Sequence, residues 1–426
     1  MEKDLTAIRA EMLEKLQKRK TNYSLDREFY TDEEYYQLDL ELIYYRDWIF
    51  AGHDIEVAEP GQFFTLQIGQ YSVIVTRDRN GEIRAFHNTC RHRGSKICLT
   101  EKGNAGGRLV CPYHQWTYDL DGKLVYARGM ESQQKFDASQ HGLKPVHVAA
   151  MGGYIWVCIA EEAPDITEFK RLQEEYFAPH DLRNTKIAME STIIEKGNWK
   201  LVWENNRECY HCRTNHPELC LTFPETPSIT GVEGIDDNEE MQNHWKYCES
   251  LGFPAKFVIA ENGQYRLTRV PLLPGADSYT MTGKPAVKKP LNPRATTGIG
   301  SLLLFNYPST WNHGLVDQGV SFRVLPLSAT ETQLTTRWLV HKDAVEGVDY
   351  TIENLSEVWI ATNNQDRRII QDNQAGIMSP AYQPGPYSVE QESGLIQFVE
   401  WYSRAMTERL SPQNKAKSRP KLRIVS

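Results

Sequence analysis

The chain is predicted to be an α+β protein, with a small antiparallel β domain followed by a larger α+β domain in which helices pack on an antiparallel sheet. Three observations predict this. Short alternating runs with hairpin turns fill the segment from about Gly61 to Cys158. Longer stretches with helical spacing follow Cys158. Apolar, β-branched runs then return near residues 301, 320 and 333, before a long amphipathic pattern.

In chain order, the first segment places Ile8, Met12, Leu13 and Leu16 on one face of an amphipathic helix. Strands are predicted at Phe63 to Ile68, Ser72 to Thr76, Ile83 to His87 and Gly107 to Val110. Asn80-Gly81 and Asp121-Gly122 supply the positive-φ residues that tight hairpins need. Helices are predicted over Asp165 to Tyr176 and Trp199 to Tyr210, and the Gly/Pro/Lys-rich stretch Leu273 to Arg294 reads as an exposed loop or lid. Strands follow at Ser301 to Phe305, Val320 to Val324 and Gln333 to Trp338, then a helix through Ile352, Leu355, Val358, Trp359, Ile369 and Ile370. The expected organisation is an N-terminal helical segment, 1–46, packing on the larger domain. A small antiparallel β domain, 47–160, a larger α+β domain, 161–412, and a basic tail, 413–426, complete it.

Lysine plus arginine number 48 against 56 acidic residues, a formal charge of −8 without long blocks of one sign. That balance excludes a nucleic-acid footprint. No apolar run reaches the roughly 18 residues of a spanning helix, and the start of the chain lacks a signal-peptide core. A cytoplasmic protein with no membrane or nucleic-acid partner is expected. Eight cysteines in a chain of 426 residues without an export signal favour metal ligands and free buried thiols over a disulfide framework.

Two constellations carry chemistry. Cys90-x-His92 and Cys111-x-x-His114 each present one thiolate and one imidazole. Two cysteines holding one iron and two histidines holding the other make a 2Fe-2S cluster with mixed ligation. Zinc is the alternative for a Cys2His2 set, but zinc modules usually pair Cys with Cys and His with His along the chain. The second constellation is Glu208-x-x-His211-x4-His216, followed by Pro217. Two histidines and a carboxylate with open positions form the facial triad of mononuclear iron(II) oxygenases. Glu208 and His211 share a helical face, whereas His211 and His216 are five apart and Pro217 disfavours helix at His216, so the helix must unwind between them. Cys209 and Cys212 lie inside this segment as a Cys-x-x-Cys pair without a thioredoxin-like context and read as small packing residues.

Cys90-Arg-His-Arg-Gly94 and Cys111-Pro-Tyr-His-Gln-Trp116 resemble the cluster loops of Rieske non-haem iron oxygenases, and the likeness extends over nearly the whole chain. The resemblance implies a Rieske domain joined to a catalytic domain of helix-grip type. It implies that Glu208 is not a ligand but a bridge between His211 and the histidine side of the cluster in a neighbouring subunit of a homotrimer, facing His114. The third iron ligand is then Asp366, within Gln365-Asp366-Arg-Arg-Ile-Ile-Gln-Asp-Asn-Gln374-Ala-Gly376, with Asp372 as fallback.

Glutamate rather than aspartate at the bridge resembles the branch acting on quaternary ammonium compounds. The implied reaction is dioxygen-dependent hydroxylation of an N-methyl group of glycine betaine, giving dimethylglycine and formaldehyde. Carnitine, stachydrine, choline and aromatic rings are the alternative substrates, and a Rieske electron carrier without oxygenase activity is the alternative of a different class. No Gly-x-Gly-x-x-Gly fingerprint occurs, so electrons from NAD(P)H must come through a separate flavin/iron-sulfur reductase. Aromatic faces recognise a trimethylammonium group, and Trp203, Tyr210, Phe305, Tyr307 and Trp311 are the candidates.

Overall fold

A computed structural model describes residues 5–411 apart from 233, 236 and 295, so the basic tail 413–426 lies outside the described residues. The chain divides into two compact units, Tyr44–Ile166 and Met1–Ile43 together with Thr167–Ser426.

The unit Tyr44–Ile166 is built from antiparallel ladders. Its largest sheet runs Ile83–His87, Tyr71–Arg77, Gln62–Ile68, Lys102–Asn104. Val73, Ile74 and Val75 are fully buried, as suits a β-branched central strand covered on both sides. At the hairpin tip Asp78 Oδ1 accepts the N–H groups of Asn80 and Glu82 at 2.8 and 3.0 Å, and Gly81 takes φ +83°. Gly122, at φ +88°, has a second requirement, because a Cβ there would stand 2.4 Å from the Phe86 ring. A core of Phe63, Phe86, Ile97, Leu109, Trp116 and Tyr118 lies under the two Cys/His loops.

The other unit is organised by a seven-stranded antiparallel sheet in the order Thr185–Glu195, Glu331–His341, Gly319–Ser328, Thr310–Gly314, Ser301–Asn306, Tyr265–Val270, Val258–Ile259. The long helix Ile352–Ile377, N-capped by the Thr351 hydroxyl, buries Leu355, Val358, Trp359, Thr362, Ile370, Gln374 and Ile377. These recur at three- and four-residue spacing, the apolar stripe of an amphipathic helix. Gly197 lets that helix approach the end of strand Thr185–Glu195, since a Cβ would lie 2.4 Å from Ile370 Cγ2.

Leu5–Lys18 is helical with Ile8, Met12 and Leu16 buried, and it packs against the helix Ser393–Leu410. Leu273 to Arg294 departs from the exposed lid expected. Ser278, Tyr279 and Thr280 are fully buried, and Asp317 Oδ2 accepts the N–H groups of Ala286 and Val287 at 2.6 and 3.1 Å. Buried side-chain acceptors satisfy the backbone that a loop would otherwise leave to water.

A polar core underlies the helix Trp199–Asn206. Lys200 is buried against the Asp39 carboxylate, which also accepts from the Trp199 indole at 3.0 Å and the Tyr402 hydroxyl at 2.7 Å. Next to it Glu204 takes hydrogen bonds from Tyr30 and Tyr387 at 2.7 and 3.2 Å. Burial pushes the Glu204 carboxyl up to about 7, and those two hydroxyls and the Lys200 charge only partly oppose it. Folding therefore prefers protonated Glu204. That contribution is fully present below about pH 4.5 and is lost as pH rises through about 7. The loss is about 3 kcal/mol at about 1.4 kcal/mol per pH unit. Thermal unfolding of wild type and Glu204→Gln should show the variant gaining relative stability between pH 5 and pH 8, and a constant difference across that range would place the titration elsewhere.

Candidate metal centre

The helix Trp199–Asn206 begins on an Asn198 cap, whose Oδ1 accepts from Lys200 N at 3.0 Å. It ends at Asn206, four residues before the Tyr210 expected, so Glu208 and His211 do not share a helical face. The cause is local. Glu208 Oε2 accepts the N–H groups of Tyr210 and His211, a side-chain turn that competes with the helical ladder. Glu208 Oε1 meets His211 Nδ1. The short helix Cys212–Asn215 then carries the chain to His216, whose Nδ1 lies 2.8 Å from Gln365 Oε1. Gln365 in turn donates to Glu218 at 2.7 Å, which orients its amide oxygen toward the imidazole.

These partners determine the tautomers. Both histidines hold their proton on Nδ1, leaving a lone pair on Nε2. The two Nε2 atoms stand 3.0 Å apart, and Asp366 Oδ1, reached from the long helix, lies 3.4 Å from His211 Nε2 and 2.9 Å from His216 Nε2. Asp366 Oδ1 is buried and accepts no hydrogen bond. The Asn205 amide, 3.3 Å from His211 Nε2, is the neighbouring donor. Three converging lone pairs repel one another unless a positive charge, either a proton on Nε2 or a metal ion, sits among them, and two imidazoles with a carboxylate fit a divalent iron that would take the proton's place. Burial lowers the His211 pKa, but Asp366 and Glu208 outweigh it and push the group up to about 10. His216 is raised in the same way, chiefly by Asp366 against burial. The field at this point favours positive charge.

Asp366 thus stands with the histidines, whereas Asp372 is exposed on the same helix. Cys209 and Cys212, expected as free packing thiols, form a disulfide, with Cα atoms 4.9 Å apart. The turn organised by Glu208 brings their side chains to one side. Cys212 Sγ lies within 4.8 Å of the histidine donors, but its bond to Cys209 removes it as a thiolate ligand.

A cavity of about 600 Å³, including the space open to solvent, adjoins these donors. Trp359, Thr362 and Asp366 line it from one face of the long helix, and Leu303, Phe305 and His313 line it from the sheet. Of the five aromatic candidates only Phe305 lines this cavity. Trp203 is fully buried, donates its indole N–H to Pro308 O at 2.6 Å and packs on Tyr307, Trp311 and Phe398. Tyr307 directs its hydroxyl to Arg207 and Gln397, and Trp311 stacks on Phe322. Tyr210 is 66% exposed. Core packing and surface placement account for these four. The aromatic walls that sequence reasoning missed are Trp359 and Phe223, and position seven residues before Asp366 on one helix face was the available signal for Trp359.

In the unit Tyr44–Ile166, Cys90 and Cys111 are 3% and 1% exposed, while His92 is exposed and His114 half-buried. Thiols therefore face the core and imidazoles face outward. The rings of His92 and His114 lie 4.6 Å apart, and His92 stacks on Trp116 at 4.8 Å. Tyr118 takes the Arg91 N–H at 2.9 Å, which leaves its own hydroxyl proton for Cys90 Sγ at 3.2 Å. A donor aimed at sulfur favours its thiolate form and suits a cluster ligand. Gly94 gives its N–H to Cys90 O at 3.0 Å, and its φ of +80° favours glycine there. Cys98, pushed up to about 12 by burial, is an inert core thiol.

Residues 47–137 match the Rieske [2Fe-2S] domain, and residues 182–408 match the catalytic domain of the ring hydroxylating alpha subunit. The chain is 45% identical over 402 residues to the glycine betaine monooxygenase oxygenase subunit of Pseudomonas aeruginosa, covering 94% of this chain and 92% of that relative. It is 43% identical over 413 residues to the corresponding subunit of Chromohalobacter salexigens, covering 96% and 92%. The crystal structure of a quaternary ammonium Rieske monooxygenase in complex with L-carnitine superposes with a TM-score of 0.68 at 20% identity, over 92% of this chain and 98% of that one. With both domains matched and these relatives aligned over most of its length, the chain belongs to the Rieske non-haem iron oxygenases, as a catalytic alpha subunit.

Proposed function

We propose that this oxygenase hydroxylates an N-methyl group of glycine betaine, releasing formaldehyde and dimethylglycine. The observation that carries the reading is the 45% identity over 94% of the chain to a glycine betaine monooxygenase oxygenase subunit. When bound, the 2Fe-2S cluster supplies electrons and the mononuclear iron supplies dioxygen activation at a substrate C–H bond.

The chain's own residues prepare that chemistry. Cys90, His92, Cys111 and His114 hold the cluster, and His211, His216 and Asp366 hold the iron. Gln365 and Glu208 orient the two imidazoles through Nδ1. Trp359 and Phe223 give the cavity aromatic faces suited to a trimethylammonium group, which accepts cation–π contact and no hydrogen bond. Outward-facing His92 and His114 support transfer of the electron to another subunit, with Glu208 as the receiving bridge in a homotrimer. Electrons enter from a separate flavin/iron-sulfur reductase drawing on NAD(P)H.

The test is formaldehyde release by the loaded enzyme with a surrogate reductase and NADH, offered glycine betaine, carnitine, stachydrine and choline in parallel. The highest kcat/KM is expected for glycine betaine. Silence with every amine combined with diol formation from an arene would sink the N-demethylase reading.

A further inference from the structure

A third histidine stands on the wall of the cavity and has no part in holding iron or transferring electrons. His313 lies in the strand Thr310–Gly314, is 5% exposed, and lines the cavity that adjoins His211, His216 and Asp366. Strand register places it there. His313 is directly opposed to Leu303 on the adjacent antiparallel strand, and Phe305 lies two residues beyond Leu303, so the three side chains project from one face of the sheet.

A count of protons gives the tautomer of this ring. Nδ1 lies 3.4 Å from the Tyr279 hydroxyl and 3.4 Å from Ser301 Oγ, and the Ser301 hydroxyl also donates to the Tyr279 oxygen. Ser301 and Tyr279 are fully buried. If Nδ1 accepts, Ser301 donates to Tyr279, Tyr279 donates to Nδ1, and every proton has an acceptor. If Nδ1 carries a proton instead, three protons are shared among the three groups and one hydroxyl is left buried without an acceptor, which is unfavourable. The proton therefore sits on Nε2. Burial pushes the ring down to about 3, so it stays neutral near pH 7. Both hydrogen bonds of His313 to described residues are made at Nδ1, which leaves Nε2–H for the occupant of the cavity.

The neighbours of His313 sort the two ends of a ligand. The Trp359 ring, centred 4.7 Å from that of His313, lines the same cavity. The Phe305 ring is covered instead by the guanidiniums of Arg207 and Arg266, whose carbons lie 4.2 and 4.7 Å from its centroid, so its face is not open to an ammonium group. Thr362, also on the wall, gives its hydroxyl proton to Val358 O at 2.8 Å and has none for a ligand. A neutral N–H donor thus stands one ring away from an aromatic surface. In apolar surroundings such a donor bonds most strongly to an anionic oxygen.

We infer that His313 binds the carboxylate of the substrate through Nε2–H, while the ammonium end lies toward Trp359 and the iron ligands. This rests on the N-demethylation reading above and deepens it, since it names the group that recognises the anionic end. The short separation of the two rings suits a zwitterion with one carbon between nitrogen and carboxylate, as in glycine betaine, better than one with three, as in carnitine. Trp359 and Asp366 share one face of the long helix, so the cation-binding wall and an iron ligand are held on one rigid element. Tyr279 and Ser301 act through His313, holding its proton on the nitrogen that meets the substrate. His313 keeps that proton throughout and is a binding residue, not an acid or base.

The test compares glycine betaine with trimethyl(2-methylpropyl)ammonium, which has nearly the same shape but an isopropyl group where betaine has its carboxylate. KM from formaldehyde release and Kd by calorimetry are measured on the wild-type holoenzyme and on His313→Phe and His313→Gln. Phenylalanine keeps a ring beside Trp359 and removes the donor, whereas the glutamine amide can place an N–H near the position of Nε2. His313→Phe should raise KM and Kd for glycine betaine by about 10- to 100-fold, the usual scale of a hydrogen bond to a charged group. Both constants for the isopropyl analogue should stay nearly unchanged, and kcat at saturation should fall less than KM rises. His313→Gln should recover part of the loss. The cluster's visible spectrum and iron content report folding. Unchanged constants for glycine betaine in folded His313→Phe, or a loss shared equally by both ligands, overturn the assignment while the substrate reading stands. If neither variant folds, the wild-type ratio decides: a preference for betaine of tenfold or so supports the anchor, and equal affinity overturns it. Turnover of no quaternary amine by wild type removes the substrate reading and the anchor with it.

Discussion

Asp366→Ala is expected to empty the mononuclear iron site and abolish turnover while leaving the visible spectrum of the Rieske cluster intact. Asp366 Oδ1 is buried, accepts no hydrogen bond and lies 2.9 and 3.4 Å from two imidazole nitrogens whose protons are held on the opposite ring atom. Removing it leaves two neutral ligands and no anionic one. Loss should therefore exceed the roughly 10- to 100-fold that follows removal of an outer hydrogen-bond partner. Gln365→Ala, which frees His216 Nδ1 but keeps all three donors, provides that milder reference. Iron content and formaldehyde release would be read side by side. A variant that retains iron and turnover would remove Asp366 from the ligand set, and loss of cluster absorbance would show that the substitution acts through folding.

Glu208→Gln is expected to keep both metal sites filled and still slow turnover by about 10- to 100-fold, the range seen when an outer partner of a metal ligand is changed. The amide oxygen can still accept from His211 Nδ1, so the imidazole keeps its tautomer. What disappears is the negative charge beside His211 Nδ1, on which the proposed electron path between subunits depends. Single-turnover kinetics should show slow reoxidation of the prereduced cluster with normal iron content. Loss of iron from Glu208→Gln would instead make Glu208 a ligand, against the placement of its carboxylate on Nδ1, the side of the ring turned away from Asp366.

The donors around these two residues were legible in the sequence alone, whereas the roles of Asp366 and Glu208 came from the family resemblance. Cys90-x-His92, Cys111-x-x-His114 and His211-x4-His216 are short-range patterns whose chemistry is recognisable wherever the loops fold. Hairpins at Gly81 and Gly122 were legible for a similar reason, since each needs a positive φ at one residue. The fold class also followed from local periodicity. Some elements did not. The strand Thr185–Glu195 mixes polar and apolar residues because it is the terminal strand of the sheet and only partly covered, and Thr310–Gly314 buries polar residues inside the sheet. The helix end at Asn206 was invisible because a side chain, Glu208, took over backbone N–H groups that periodicity assigns to the helix.

The sequence by itself determined the Cys/His pairs and His211/His216 as candidate metal donors and that two kinds of centre were involved, because these rest on residue type and close spacing, whereas Asp366 and the bridging place of Glu208 came from the family resemblance. Only the tertiary structure decided the walls of the cavity. Trp203, Tyr307 and Trp311 are as aromatic as Trp359 and Phe223, and no composition or period separates core from lining. The separation comes from strand register, which sets Arg266 opposite Phe305, and from helix rotation, which turns Trp359 and Asp366 to one side. Arg207 and Arg266, nearly sixty residues apart and unremarked in the sequence, meet at one ring because packing brings them there, and packing is a property of the folded chain as a whole.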